Sequence, residues 1–332
     1  MPLPKKDNPN ESKPAAGKTA APTLSAASDK KSYLIQKFAK IPVGSMHVVG
    51  YSVAGEETVI QIPEMDVCFD IGRAPYFALT SNILCISHGH MDHLAGIAYY
   101  LSQREFQGMK AGTILLPAEI CKFVDEMLRC WRNIERQKTS YTLVPMEPGQ
   151  TYEVRRDFAI RAMETHHNGA SLGYSLISVR EKLKPEYAGL TGPELVALKK
   201  QNIEIQYRIE IPMVTFMGDT AAGEVFKNPD VVNAEVLITE CTFFEEDHKK
   251  RAKVGRHLHM DQFAEILPRL NNKSIILTHV SRRTGIRKAK SYLRKKIGAE
   301  LMGNIQFLMD FEGSIDAGDI MEAGPPQGDN AE

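Results

Sequence analysis

The 332-residue chain has no apolar run near the roughly 20 residues that cross a bilayer as a helix, so no membrane partner is expected. Its first residues lack a signal-peptide stretch, because Lys5, Lys6, Asp7 and Asn8 interrupt it at once. A transit peptide fits less well than a plain tail: residues 1–32 hold no Arg and carry Asp7, Glu11 and Asp29. Cysteine is sparse and odd in number, with five residues and no CxxC pair. That excludes a disulfide framework or a Cys-zinc knot and fits a reducing, cytoplasmic setting. Charge of one sign is also missing. Lys+Arg and Asp+Glu balance at 41 each, which excludes a globally basic nucleic-acid binder but not a local basic face. No short-period repeat is visible, so a solenoid is excluded.

What remains is an ordinary globular composition, 43% apolar and 25% charged. Residues 1–32 are rich in Pro, Ala, Ser and Lys and cannot offset their ordering entropy, so they read as a disordered tail. Residues 323–332 read as a second tail, and 33–322 as one domain. Short, often β-branched runs recur between turn signals: Val67–Phe69, Ile83–Ile86, Ile114–Leu116, Val214–Met217, Val236–Ile238 and Ile275–Leu277. Helical spacing separates some of them. Glu119–Glu135 carries Ile120, Phe123, Val124, Met127, Leu128 and Trp131, and Met260–Leu270 carries Phe263, Ile266 and Leu267. Mixed strands and helices imply layered sheets covered by helices. Residues 180–208 are polar, broken by Gly189, Gly192 and Pro193, and read as an excursion from the core.

Three of the ten histidines fall in one loop, Ser87-His88-Gly89-His90-Met91-Asp92-His93. The loop follows the strand-like Ile83–Ile86 and precedes a helix-like run, Leu94–Phe106. Extended chain points His88 and His90 the same way, while Asp92 and His93 approach from the helix entrance. Imidazole plus carboxylate in this density suits Zn²⁺ or a similar divalent ion. Further donors also follow apolar strands: the His166-His167 doublet, Asp219 and His279. Strand ends along one sheet edge are where α/β folds gather a site.

The combination resembles the ribonuclease Z group of the metallo-β-lactamase fold, closest to the short plant-type enzymes. It is carried by Phe69-Asp70-Ile71-Gly72-Arg73, the histidine loop, Thr165-His166-His167 with Gly173-Tyr174, Gly218-Asp219-Thr220, Glu240-Cys241-Thr242-Phe243, His257-Leu258-His259 and Thr278-His279. The resemblance implies an αββα sandwich and a tRNA 3′-end processing endonuclease. It implies two Zn²⁺ ions per chain, with Mn²⁺, Co²⁺ or Fe²⁺ as substitutes. His88, His90 and His167 would hold one ion, and Asp92, His93 and His279 the other. Asp219 would bridge them. In the doublet, the spacing to Gly173-Tyr174 selects His167 and leaves His166 supporting. Asp92, Glu240 and His257 would take part in catalysis, with His257 the proton donor, Glu240 its holder and His259 the alternative donor. Asp70 would orient a ligand histidine or cap a turn. His47 and His248 match nothing catalytic.

The substrate would be precursor tRNA, and a homodimer stays open. Ser281–Lys296 reads as an amphipathic helix whose cations would face phosphates. They include Arg282, Arg283, Arg287, Lys288, Lys290, Arg294 and Lys295. In ribonuclease Z enzymes an arm inserted near residues 180–208 grips the tRNA elbow. The alternative is a hydrolase of the same fold acting on a small ester or cyclic phosphodiester, which would need no basic helix.

Overall fold

The computed structural model describes residues 38–311. The expected tails, 1–32 and 323–332, and both edges of the 33–322 domain lie outside them. Two seven-stranded sheets form, each with its strands in chain order. The first holds β1 (Ala39–Val43), β2 (Met46–Val53), β3 (Glu57–Ile62), β4 (Val67–Phe69), β5 (Ile83–Cys85), β6 (Gly112–Pro117) and β7 (Tyr141–Met146). The second holds β8 (Thr151–Arg155), β9 (Phe158–Glu164), β10 (Leu172–Leu183), β11 (Gln206–Phe216), β12 (Val236–Glu240), β13 (Ser274–Thr278) and β14 (Ile305–Phe307). Each sheet starts as a four-stranded antiparallel meander and continues with three parallel additions.

The parallel additions require crossovers, and these supply the helices. α1 (Met91–Leu94), α2 (Ile97–Phe106) and α3 (Ala118–Glu135) belong to the first sheet's half. The second half carries α4 (Gly192–Lys200), α5 (Pro229–Val232), α6 (Lys249–Gly255), α7 (Met260–Ile266) and α8 (Ile286–Ile297). The central strands are apolar without a break because both of their faces are covered. In β12, Val236 and Ile238 face the other sheet, while Leu237 faces helices. In β5, Ile83 and Cys85 point inward and Leu84 points toward α2 and α3. Phe69 and Phe216 stack across the sandwich with ring centroids 4.9 Å apart. Tyr100, Leu101, Val124 and Leu128 seal one outer face, and Phe263, Ile266, Ala289 and Leu293 the other. The result is the expected αββα sandwich.

Several boundaries differ from expectation. The helix expected over Leu94–Phe106 is broken at Ala95-Gly96, so Asp92 and His93 ride on their own turn, α1. Met260–Leu270 leaves α-geometry after Ile266, ahead of Pro268. Gly192 and Pro193 begin a helix rather than forbid one: Pro193 sits in the first turn of α4, capped by Thr191 and Glu194. The excursion is therefore a ribbon, β10 paired to β11 out to Leu183 and Gln206, with α4 on its connection. The stripe of α3 divides. Val124 and Leu128 are buried, but Phe123, Met127, Trp131 and Ile134 are 43% to 68% exposed. One sheet face cannot cover an apolar arc that wide, and periodicity alone does not say which half stays outside.

Candidate metal and catalytic centre

The site lies along the edge where parallel strands of both sheets end. Asp70 follows β4, His88 follows β5, Asp219 follows β11, Glu240 ends β12 and His279 follows β13. The backbone bends sharply here. His279 has φ +58° and Asp70 φ +52°, a region costly for residues with a Cβ. Gly218 has φ +59°, and a Cβ on it would lie 2.7 Å from the Ser87 Cβ, so only glycine lets Asp219 approach the histidine loop.

Three donor groups converge: His88, His90, His167 and Asp219; Asp92, His93 and His279; and Asp219, His257 and His279. Asp219 is the centre of the array. Its Oδ2 lies 3.4 Å from His279 Nε2, 3.5 Å from His93 Nε2 and 3.9 Å from the Nε2 atoms of His88 and His167. Asp92 Oδ2 lies 3.5 Å from His279 Nε2 and 3.6 Å from His93 Nε2, and accepts from Gly55 N at 2.9 Å. His90 Nδ1 stands 3.0 Å from His88 Nε2 and 3.3 Å from His167 Nε2.

The outward nitrogens of His88, His93, His167 and His279 are already engaged, which favours the tautomer that a cation needs. Asp70 Oδ2 takes the His93 Nδ1 hydrogen at 2.6 Å. Asp70 is itself held by Ser87 N at 2.7 Å and Ser87 Oγ at 2.8 Å, and that Oγ lies 3.0 Å from His88 Nδ1. Thr242 Oγ1 lies 3.0 Å from His279 Nδ1. Arg256 O lies 3.2 Å from His167 Nδ1. His93 Nε2 and His279 Nε2 are then buried without a hydrogen-bond partner, a costly state that a bound cation would relieve. The residues present fit divalent metal.

The charges agree. Burial, then the His93 cation, holds His88 well below the usual imidazole value. Burial pushes Asp219 up, but His279 and His93 outweigh it and keep the carboxyl well below the carboxylate range. Burial also opposes the charged form of Asp92, and His279 and His93 again prevail. The buried His93 is lifted well above the ordinary value because Asp219 and Asp70 outweigh desolvation.

His257 sits at the rim. Its Nδ1 lies 2.9 Å from Glu240 Oε1 and 3.9 Å from Asp219 Oδ2. Burial alone would lower its pKa; the Glu240 carboxylate outweighs that and raises it to about 9. Glu240 is fully buried and fixed by Thr220 N at 2.7 Å, Leu258 N at 3.1 Å and the Thr242 hydroxyl. His259 is occupied elsewhere: it caps α7 by accepting from Asp261 N, and its Nε2 meets Glu245 O at 3.0 Å. In the doublet, His167 is buried and His166 exposed. The His166 ring makes no hydrogen bond among the described residues and faces a side cleft. His47 pairs with Glu64, and His248 packs beside Phe243.

The basic segment is less uniform than its sequence suggests. α8 starts only at Ile286, so Arg282 and Arg283 lie in the preceding turn, where Gly285 interrupts helical geometry. Arg282 pairs with Glu56, Lys288 with Glu245, and Lys290 with Asp310. Those carboxylates come from distant sequence and could not be foreseen from the run itself. Ser87, Thr242 and Arg256 were also not singled out as functional residues. The first two lie within quoted motifs, but nothing local says which atoms they bridge.

A beta-lactamase superfamily domain matches residues 80–280. A chloroplastic tRNase Z of Arabidopsis thaliana is 35% identical over 268 residues, covering 79% of this chain and 76% of that protein. The chain belongs to the tRNase Z family. A second Arabidopsis thaliana tRNase Z is 35% identical over 244 residues, covering 73% of this chain and 87% of the relative. Among solved structures, the short form of human tRNase Z superposes with a TM-score of 0.50 at 15% identity, covering 83% of this chain and 95% of that one. The metallo-β-lactamase fold protein YhfI from Bacillus subtilis gives 0.54 at 16% identity, covering 82% and 95%. These two likenesses speak for the fold. As a tRNase Z family member the chain is a metal-dependent hydrolase. No helix among the described residues is long and apolar enough to cross a membrane.

Proposed function

We infer that this protein is an endoribonuclease that removes 3′ trailers from precursor tRNA. The observation that carries the reading is the 35% identity to tRNase Z over 79% of the chain, coincident with a converged His/Asp array. The array suits two ions, zinc in the first instance. His88, His90 and His167 would hold one; Asp92, His93 and His279 the other; Asp219 would touch both. Bound there, the ions would supply a nucleophilic water near neutral pH and neutralise the phosphodiester. The chain's own residues do the rest. Asp92 and Asp219, both held as carboxylates, would supply the negative charge that keeps the cations in place. His257, kept protonated by Glu240, donates a proton to the departing 3′-oxygen. The products are a 3′-hydroxyl on the tRNA and a 5′-phosphate on the trailer. Arg283, Arg287, Arg294 and Lys295 are exposed, on α8 and the turn before it, and are suited to phosphate contact. We place the protein in the cytoplasm on its cysteine usage.

The test is direct. Purified protein should hold about two divalent ions per chain by elemental analysis. It should cut precursor tRNA at the trailer junction and stop after chelation. Protein that ignores precursor tRNA but hydrolyses bis(p-nitrophenyl) phosphate would be a small-substrate phosphodiesterase instead.

The apolar face of α3 supports a homodimer. Phe123, Met127, Trp131 and Ile134 recur at helical spacing and stay in water, a stripe that soluble surfaces normally cover. Analytical ultracentrifugation should find a dimer, and Phe123→Glu/Trp131→Glu should convert it to monomer. A wild type that sediments as a monomer at micromolar concentration removes this assembly.

A further inference from the structure

Beside the metal array lies a separate cleft of about 790 Å³, set between α6 and α7 and closed on one side by Lys296 of α8. His257 belongs to both places. It stands among the donor groups with Asp219 and His279, and it lines the cleft wall. With Lys296, the lining residues Lys249, Lys253 and Arg256 make four cations that face two carboxylates, Asp261 and Glu265; His166 completes the wall.

The balance stays positive after pairing. Asp261 divides itself between Lys249 and Lys296, at 2.6 Å from each. Lys249 also reaches Glu246 at 2.7 Å. Lys253 is exposed and meets no carboxylate among the described residues. Arg256 donates from Nη1 to the His167 carbonyl at 2.8 Å, a neutral partner that leaves its charge uncompensated. Its backbone has φ +52°, at the C-terminal cap of α6. That turn delivers Arg256 and His257 side by side at the boundary between cleft and array.

Chemistry assigns a direction to this boundary. The proton from His257 goes to the 3′-oxygen as its bond to phosphorus breaks. That oxygen belongs to the nucleotide on the 5′ side of the cut. The strand upstream of the cut therefore leaves the array past His257, and the downstream trailer leaves on the other side. Resting on the function inferred above, we propose that this cleft seats the upstream strand, the final phosphates of the tRNA acceptor end, with Lys249, Lys253 and Arg256 as their cationic contacts. The acceptor end would thereby be located against His257 before the trailer is cut.

The experiment uses Lys249→Gln/Lys253→Gln, which leaves the metal donors, His257 and Arg256 in place. Two product-like probes report on the two sides: trimmed tRNA ending in its 3′-hydroxyl, and the trailer as a 5′-phosphorylated oligonucleotide. The variant should bind trimmed tRNA roughly tenfold more weakly, with a salt slope lower by about one unit per lost contact. KM for precursor tRNA should rise in step while kcat holds. Trailer binding, metal content and bis(p-nitrophenyl) phosphate hydrolysis should not change, and the last two show that the protein is folded. Unchanged affinity for trimmed tRNA overturns the proposal, as does weakened trailer binding with trimmed tRNA unaffected. Failure of the functional reading looks different: the wild type then cuts no precursor tRNA at all.

Discussion

Asp219→Ala is expected to empty the site of metal and lower precursor-tRNA cleavage by more than the ~10²-fold that losing even an outer partner of a metal ligand costs. The reason is geometric. One oxygen of Asp219 stands within 3.4 to 3.9 Å of four histidine nitrogens drawn from both triads. Its removal takes away the carboxylate that histidines of both triads share and leaves Asp92 beside His93 and His279 only, so the charge balance of both positions changes. His93→Ala is the comparison. It removes one donor from one triad and should weaken mainly one ion, leaving a measurable remainder of bound metal. Elemental analysis after dialysis, with circular dichroism as the fold control, separates the two cases. An Asp219→Ala protein that retains two ions and wild-type turnover would sink the bridging role.

His257→Ala should behave in the opposite way. Metal content should stay at the wild-type level, because the two proposed triads are intact. Turnover on precursor tRNA should fall by about 10²–10⁴-fold, the usual worth of a positioned general acid. The loss should shrink on bis(p-nitrophenyl) phosphate, since p-nitrophenolate departs readily without a proton. An equal loss on both substrates argues against proton donation. Glu240→Gln is a less clean probe. The carboxylate is fully buried and also accepts from Thr220 N, Leu258 N and the Thr242 hydroxyl, so stability should fall together with activity. His259, the alternative donor, is already committed as the cap of α7; replacing it should cost stability before chemistry.

Much of this centre was readable in the order of residues. A strand with both faces buried is apolar throughout, and its end is marked where polar residues resume. Ile83–Cys85 followed by Ser87-His88, Val214–Phe216 followed by Asp219, and Ile275–Leu277 followed by His279 all announce themselves this way. Donor chemistry and spacing did the rest for His88, His90, Asp92 and His93, because four candidate donors lie within six residues. The exposed half of α3 was not readable. Phe123 and Val124 are adjacent and both apolar, and only the width of the sheet beneath decides which is buried. The pairing of the α8 lysines was not readable for a similar reason: Glu245 and Asp310 lie far along the chain yet take up Lys288 and Lys290.

Local order, then, determined the fold class, the strand ends and the donors, since apolar period and residue chemistry act over a few neighbours. Tertiary structure decided what those donors can do. It turned His167 inward and His166 toward the cleft. It brought Ser87, Thr242 and the Arg256 carbonyl to the far nitrogens of the rings. It set His257 between array and cleft. Each of these depends on a side chain's direction relative to an element far away in sequence. Packing settles such directions because a buried polar atom must find its partner within hydrogen-bond reach, whatever the distance along the chain.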